Sequence, residues 1–307
     1  MVTETVREPQ LGIGNVEVHS FCGFSSISTL SSTYPLKLVS PPCRPSNQAA
    51  LAFMMSYGGG LVAGDRVDLK VTVQSKARLA LLTQGSTKVY KAPSKSIRSR
   101  QDLTVTLEDK AALLLLPDPL QPFKDSAHEQ RQIFHIQPSS SLLVLDWVSA
   151  GRAARGEAWQ CFECRARNDI WALPDPAKDI KKRLLIRDSL CLEDASSSSG
   201  FRDEMDDLGV FGTLIIQGPV FRALGDFFLT EFTRLPRIGP NGKGLDEDGF
   251  PSKEPVKAWT AACIRGSVVV KFGAHEVDAA RHWLRAMLTV EGTVEKEFGA
   301  KSLLCLQ

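Results

Sequence analysis

The stretch Tyr57-Gly-Gly-Gly-Leu-Val-Ala-Gly-Asp-Arg-Val-Asp-Leu-Lys-Val-Thr-Val73 decides how this chain is read. Its glycines invite comparison with a phosphate-binding loop. The dinucleotide fingerprint requires G-x-G-x-x-G between a strand and a helix, and the nucleotide P-loop requires G-x-x-x-x-G-K-[ST] in the same setting. Glycines at 58, 59, 60 and 64 fit neither spacing, and no Lys-Ser/Thr follows Gly64. Instead Val67, Leu69, Val71 and Val73 alternate with Arg66, Asp68, Lys70 and Thr72, the period of a half-buried strand. The glycines therefore open a strand. Without a helix N-terminus there is no row of free N–H groups for a phosphate.

Working outward, Asp65 has the parity of the apolar face Val67 to Val73, so strict alternation aims its carboxylate inward at the strand's mouth. The same residue, in a Gly-Asp turn, could cap its own backbone. Further short strands are expected over 78–83, 97–107, 111–116, 130–136, 142–148, 156–167, 183–193, 210–217 and 259–272. The protein is thus mainly β. Residues 142–148 are apolar at both parities, which calls for cover on both faces, as two stacked sheets would supply. One helix is expected over 276–291, with Val277, Ala280, Trp283, Leu284, Met287 and Leu288 on one stripe. A shorter helix is expected around 203–208, and loops at 196–200 and 239–255.

Composition narrows the function classes. With 307 residues the chain buries a large core. Thirty-seven basic residues against 35 acidic ones give no nucleic-acid footprint. Seven scattered cysteines and an N-terminus without an apolar signal core point to a reducing cytoplasm. The longest apolar run, Ala111 to Leu116, is far short of the ~20 residues that cross a membrane as a helix.

Local motifs for catalysis are missing: there is no G-x-S-x-G elbow, H-E-x-x-H or kinase signature. Cys161 and Cys164 in one strand would face opposite ways and could not chelate together. His128 and His135 are separated in the same manner. His275 and His282 would share a helix face but stand about 10.5 Å apart along its axis. What remains is three carboxylates beside apolar sequence: Asp65, Asp146 within Leu-Leu-Val-Leu-Asp-Trp-Val148, and Glu157 after Ala153-Ala-Arg-Gly156. A buried carboxylate requires a partner or a wet cavity. Arg152 and Arg155 offer an ordinary ion pair. The alternative is a water-filled passage in which carboxylates serve as transient cation ligands.

Several blocks resemble the UreD (UreH) family of urease accessory proteins. They are Gly58, Gly59, Gly60, then Gly64-Asp65-Arg66, then Thr87, Lys88, Val89 and Tyr90. The resemblance continues through Leu116-Pro-Asp-Pro-Leu-Gln-Pro-Phe123, Glu129-Gln-Arg-Gln132, Leu145-Asp-Trp147, Gly151-Arg-Ala-Ala-Arg-Gly-Glu157 and, more weakly, Val210-Phe-Gly-Thr213. It covers most of 20–220 within a single unit over 1–307. Tyr57 stands where a Pro is common in bacterial members, and 236–257 reads as an insertion. The resemblance implies a two-layered, helix-like winding of β-strands with a small helical part near the C-terminus. It implies a non-enzymatic scaffold that acts on apo-urease with a UreF-like partner and, indirectly, a UreG-like GTPase. No cofactor would be tightly bound, and Ni(II) would cross as a hydrated ion near Asp65, Asp146 and Glu157. The rival expectation is an adaptor through which no metal passes, offering the 276–291 helix stripe and Leu303-Leu-Cys-Leu306 to a partner.

Overall fold

The structure, a computed structural model, describes residues 11–42, 49–174, 181–193, 205–235, 256 and 258–307. Ile13–Phe21 (β1) and Phe24–Ser32 (β2) form an antiparallel pair, and Leu36–Val39 (β3) pairs with Ala50–Ser56 (β4). From β4 the chain winds. It passes through Gly60–Leu61 (β5) to Arg66–Val73 (β6), and repeats as Arg78–Leu82 (β7), Thr87–Val89 (β8) and Ser99–Leu107 (β9). A third turn is Ala112–Leu116 (β10), Leu120–Pro122 (β11) and Ala127–Ile136 (β12). A fourth runs from Ser141–Ser149 (β13) through a small hairpin, Gly151–Arg152 (β14) with Glu157–Ala158 (β15), to Glu163–Ala172 (β16).

Successive turns stack in parallel on three faces. Strands β4, β7, β10 and β13 line up in one sheet, and β6, β9, β12 and β16 in the other. The short strands β5, β8 and β11 form the connecting face. Antiparallel strands extend both sheets. Arg183–Glu193 (β17) joins β16, while Val210–Gln217 (β18), Ala258–Ile264 (β19) and Ser267–Ala274 (β20) continue from β13. Among the described residues the helices are Arg222–Arg234 (α1), Val277–Glu291 (α2) and Thr293–Phe298 (α3), followed by a 3-10 segment, Ala300–Leu306.

Two apolar layers result. Leu79, Leu81, Leu113, Leu115, Leu142 and Val144 meet Val71, Val105, Phe134 and Ile170 between the sheets. The opposite parity, Ala80, Leu82, Leu114, Leu143 and Leu145, packs on Phe221, Phe228, Trp283, Leu284 and Leu288. β13 is therefore covered on both sides, as its double apolar parity requires, but one cover is helical.

The mainly β class and the 276–291 helix agree with the sequence reading, and Glu276 caps rather than enters that helix. Other expectations change. The run 156–167 breaks between β15 and β16, and 259–272 is a hairpin. Its turn residues Arg265 and Gly266 both have positive φ, 50° and 81°, the twist a two-residue connection requires. Residues 205–207 form a turn instead of a helix. Helix α1 was missed although Phe221, Leu224, Gly225 and Phe228 are spaced for one buried stripe. The loop expected at 196–200 lies outside the described residues, as does the stretch read as an insertion, 236–257, apart from Val256. None of the helices among the described residues is long and apolar enough to cross a membrane.

Candidate functional site

The inner face of the sheet β17-β16-β12-β9 changes character along its length. In-register neighbours there are Ser99, His128 and Cys164 in one rung, Gln101 and Gln130 in the next, and Gln132, Asn168 and Asp188 in a third. The following rung, Val105, Phe134, Ile170 and Ile186, is apolar. Residues 128, 130 and 132 share the parity of Phe134 and Ile136, so β12 carries polar side chains into the space between the sheets. That parity was legible in the sequence and was not used.

Asp146 points into this polar half from β13. Its Oδ2 accepts a hydrogen bond from Asn168 Nδ2 at 2.6 Å and its Oδ1 one from Gln130 Nε2 at 3.0 Å. Burial raises its pKa; the Asn168 amide opposes this, while the Asp188 carboxylate adds to it. Three buried polar atoms nearby on the same face have no protein partner: His128 Nε2, Gln132 Oε1 and Asn168 Oδ1. Such atoms call for water or a cation.

Asp146 lies between two cavities. On one side is a cleft of about 570 Å³, where Asp188, Lys271, Thr213 and Cys164 line the wall. Lys271 Nζ donates to Asp188 Oδ1 at 2.7 Å across the gap between the sheets. On the other side is a chamber of about 30 Å³ lined by Thr83, Gln101, Asp118, Gln130 and Gln132. Thr83 and Asp118 also line an outer pocket of about 490 Å³ beside Arg281 and Cys305. The chamber shares Asp146, Leu120 and Trp147 with the cleft and Thr83 and Asp118 with the outer pocket, so one acid stands between each adjoining pair of spaces.

The other two expected ligands are elsewhere. Asp65 Oδ2 accepts the Val62 N–H at 2.9 Å, so its carboxylate caps the turn before β6. Glu157 sits on the β14–β15 hairpin in a two-pronged pair with Arg152, with Nε to Oε2 and Nη2 to Oε1 both 2.8 Å. Neither lines the three spaces. The expected ion pair of Arg152 is real, but its partner is Glu157 and not Asp146. Among the described residues no three His, Cys, Asp or Glu side chains come close enough together to hold a metal.

The cysteine and histidine expectations also change. Cys161 precedes β16, so no single strand sets it opposite Cys164, and both pack in the cluster with Trp159 and Leu192. Burial pushes the Cys164 thiol well up, which keeps it protonated. His128 does face inward and His135 outward, as their spacing requires. His275 lies before α2 and shares no helix face with His282.

The glycine block and the Thr87-Lys88-Val89-Tyr90 block meet directly. Gly60 pairs with Lys88 and Leu61 with Val89, and β11 from the Pro-Asp-Pro block pairs on the other side of β8. Tyr90 Oη donates to the Gly58 carbonyl at 3.0 Å. Thr87, from the same face, lines the inner chamber, and Gly64 and Arg66 lead into β6.

A family model described as UreD urease accessory protein matches residues 12–303. The chain belongs to the UreD family of urease accessory proteins. A relative from Cryptococcus neoformans var. grubii, named urease accessory protein 4, is 33% identical over 92% of this chain and 90% of its own length. Urease accessory protein D of Oryza sativa subsp. japonica is 33% identical over 76% of this chain and 74% of its own. A Schizosaccharomyces pombe relative, named as an uncharacterized ureD-like urease accessory protein, is 35% identical over 82% and 84%. As a UreD family member the chain is an accessory factor for urease and not an enzyme.

Proposed function

We propose that this UreD-family chain is a cytoplasmic scaffold that passes Ni(II) toward the urease active site. In this reading it docks on apo-urease and on a UreF-like partner, while a UreG-like GTPase supplies the metal. The observation that carries it is that Asp118 and Asp146 each stand between two of three adjoining spaces, from the outer pocket through the inner chamber to the Asp188–Lys271 cleft.

The chemistry suits transit. Ni(II) accepts carboxylate, imidazole and thiolate donors, and a site that gathered several of them would hold the ion rather than release it. Isolated carboxylates at two necks, with amide and hydroxyl oxygens between, lower the barrier without making a trap. The chamber of about 30 Å³ favours a partly dehydrated cargo in this reading. At roughly 10–15 Å³ of such space per water it holds about two molecules, so a full hydration shell does not fit. The ion exchanges part of its water for oxygens of Asp118, Thr83, Gln130 and Asp146.

The adaptor reading loses the surface on which it relied. Ala280, Trp283, Leu284 and Leu288 of α2, with Leu303 and Leu306, are buried against the protein's own sheet. The test is co-expression with urease subunits and accessory partners, with nickel measured per urease active site. Without this chain nickel content falls, and with Asp146→Asn it falls while the protein stays folded. Unchanged nickel in the absence of the chain would overturn the reading.

A further inference from the structure

Arg281, on α2, has no place in the passage as described so far, yet it sits on its outer neck. Its Nη2 donates to Asp118 Oδ1 at 2.7 Å and its Nη1 to Asp278 Oδ1 at 3.2 Å. Asp118 is only 8% exposed. Its Oδ2 accepts from Thr83 Oγ1 at 3.0 Å, and its own N–H donates to that Oγ1 at 2.6 Å. The Cys305 thiol donates to the Thr83 carbonyl at 3.1 Å. A carboxylate oxygen, a hydroxyl and a carbonyl thus converge where the outer pocket meets the inner chamber, beside the Cys305 thiol, which burial pushes up to about 12 and keeps protonated.

These oxygen donors suit a divalent cation, and one position among them is already filled by a positive charge. A guanidinium is always protonated and offers no lone pair, so it neutralises Asp118 without itself binding metal. A buried carboxylate is costly to leave unpaired. Arg281 and an incoming cation are therefore mutually exclusive occupants of Asp118 Oδ1. The displaced guanidinium has somewhere to go, because Asp278 is its other partner and is 75% exposed at the side chain.

We propose that Asp118 Oδ1, with the Thr83 hydroxyl and carbonyl oxygens, is a divalent-cation site at the outer mouth of the passage. Arg281 fills it in the resting protein and keeps the mouth closed until its guanidinium is displaced. The cargo rests on the proposed function above; the site and its resident cation do not. Arg281 is a positioning residue here, because it acts through Asp118.

The test is calorimetric titration of the purified full chain with Ni(II) alone. Arg281→Gln binds Ni(II) about tenfold more tightly than wild type, and Arg281→Gln combined with Asp118→Asn loses the gain. Arg281→Lys retains the positive charge and shows no gain. Arg281→Met, which keeps the packed stem, replaces Arg281→Gln if that variant fails to fold. Wild-type affinity in the uncharged variants, or a gain that survives Asp118→Asn, overturns the proposal. Nickel delivery separates this outcome from the passage itself. If Asp146→Asn starves urease of nickel while Arg281→Gln binds as wild type does, the passage stands and the gate falls. If Arg281→Gln gains a site while Asp146→Asn delivers normally, the gate stands and the passage falls.

Discussion

Asn168 of β16 donates its amide to the Asp146 carboxylate of β13 at 2.6 Å, joining the two sheets at the polar end of their shared interior. Asp146 is half-buried at the wall of the cleft, and its pKa is raised because desolvation outweighs the two amide donors. It is held by neutral groups, so its charge has no resident counter-ion at hydrogen-bonding distance among the described residues. An approaching cation supplies one.

Asp146→Asn conserves shape and removes that charge. It should melt within a few degrees of wild type and lower nickel per urease site several-fold. Metal analysis of urease purified from co-expressing cells, beside a thermal melt of the variant, makes the comparison. Normal nickel content in cells holding folded variant would end the role assigned to Asp146.

Asp65→Ala and Glu157→Gln should behave in the opposite way. One loses a turn cap and the other weakens a partly exposed ion pair with Arg152, each costing about 1 kcal/mol of stability. Nickel delivery should follow the amount of folded protein and nothing more. Denaturant titration together with the same metal analysis tests this, and a nickel deficit at normal protein level would return these acids to the passage.

The glycines of the opening stretch should differ in sensitivity. A Cβ on Gly60 would lie 2.4 Å from the Lys88 carbonyl oxygen and 2.8 Å from the Tyr90 ring, so Gly60→Ala forces β5 and β8 apart. Gly58 has open space around it but φ of +75°. Gly58→Ala should cost about 1 kcal/mol from backbone strain, and Gly60→Ala about 3 kcal/mol or more from overpacking. Equal midpoints for the two variants in urea would contradict the close approach of β5 and β8.

His128 sets a pH dependence. Burial lowers its pKa from 6.5 to about 4, and its Nδ1 lies 2.9 Å from Ser99 Oγ. The folded state therefore binds fewer protons than the unfolded state between these values. Its contribution is fully present above pH 6.5 and is lost as pH falls toward about 4, by on the order of 3 kcal/mol. The stability difference between pH 7.5 and pH 5 should shrink in His128→Gln, and an unchanged difference would assign the acid sensitivity to other groups.

Much of the fold was legible because strand periodicity is local. The alternation of Val67 to Val73 and the double apolar parity of Leu142 to Val148 follow from which side chains must leave water, and both were realised. The α2 stripe was legible for the same reason. Reading the stripe as a partner surface failed, because periodicity says that a face is apolar but not what covers it. The site was less legible still. Asp118 lies between Pro117 and Pro119 and gives no periodic signal, and its partners Thr83 and Arg281 are 35 and 163 residues away in the chain.

By itself, then, the sequence determined that the glycines open a strand and that the chain is mainly β, since each depends on spacing within a few residues; Asp146, expected to be buried, is half-buried because the cleft opens beside β13. Only the tertiary structure decided what each acid meets. Parallel winding brings Gln130, Asn168 and Asp146 from three separate strands into one polar layer, and turns Asp65 and Glu157 to local partners instead. A strand's period fixes which way a side chain points, but the partner it finds there depends on which distant strand is stacked beside it.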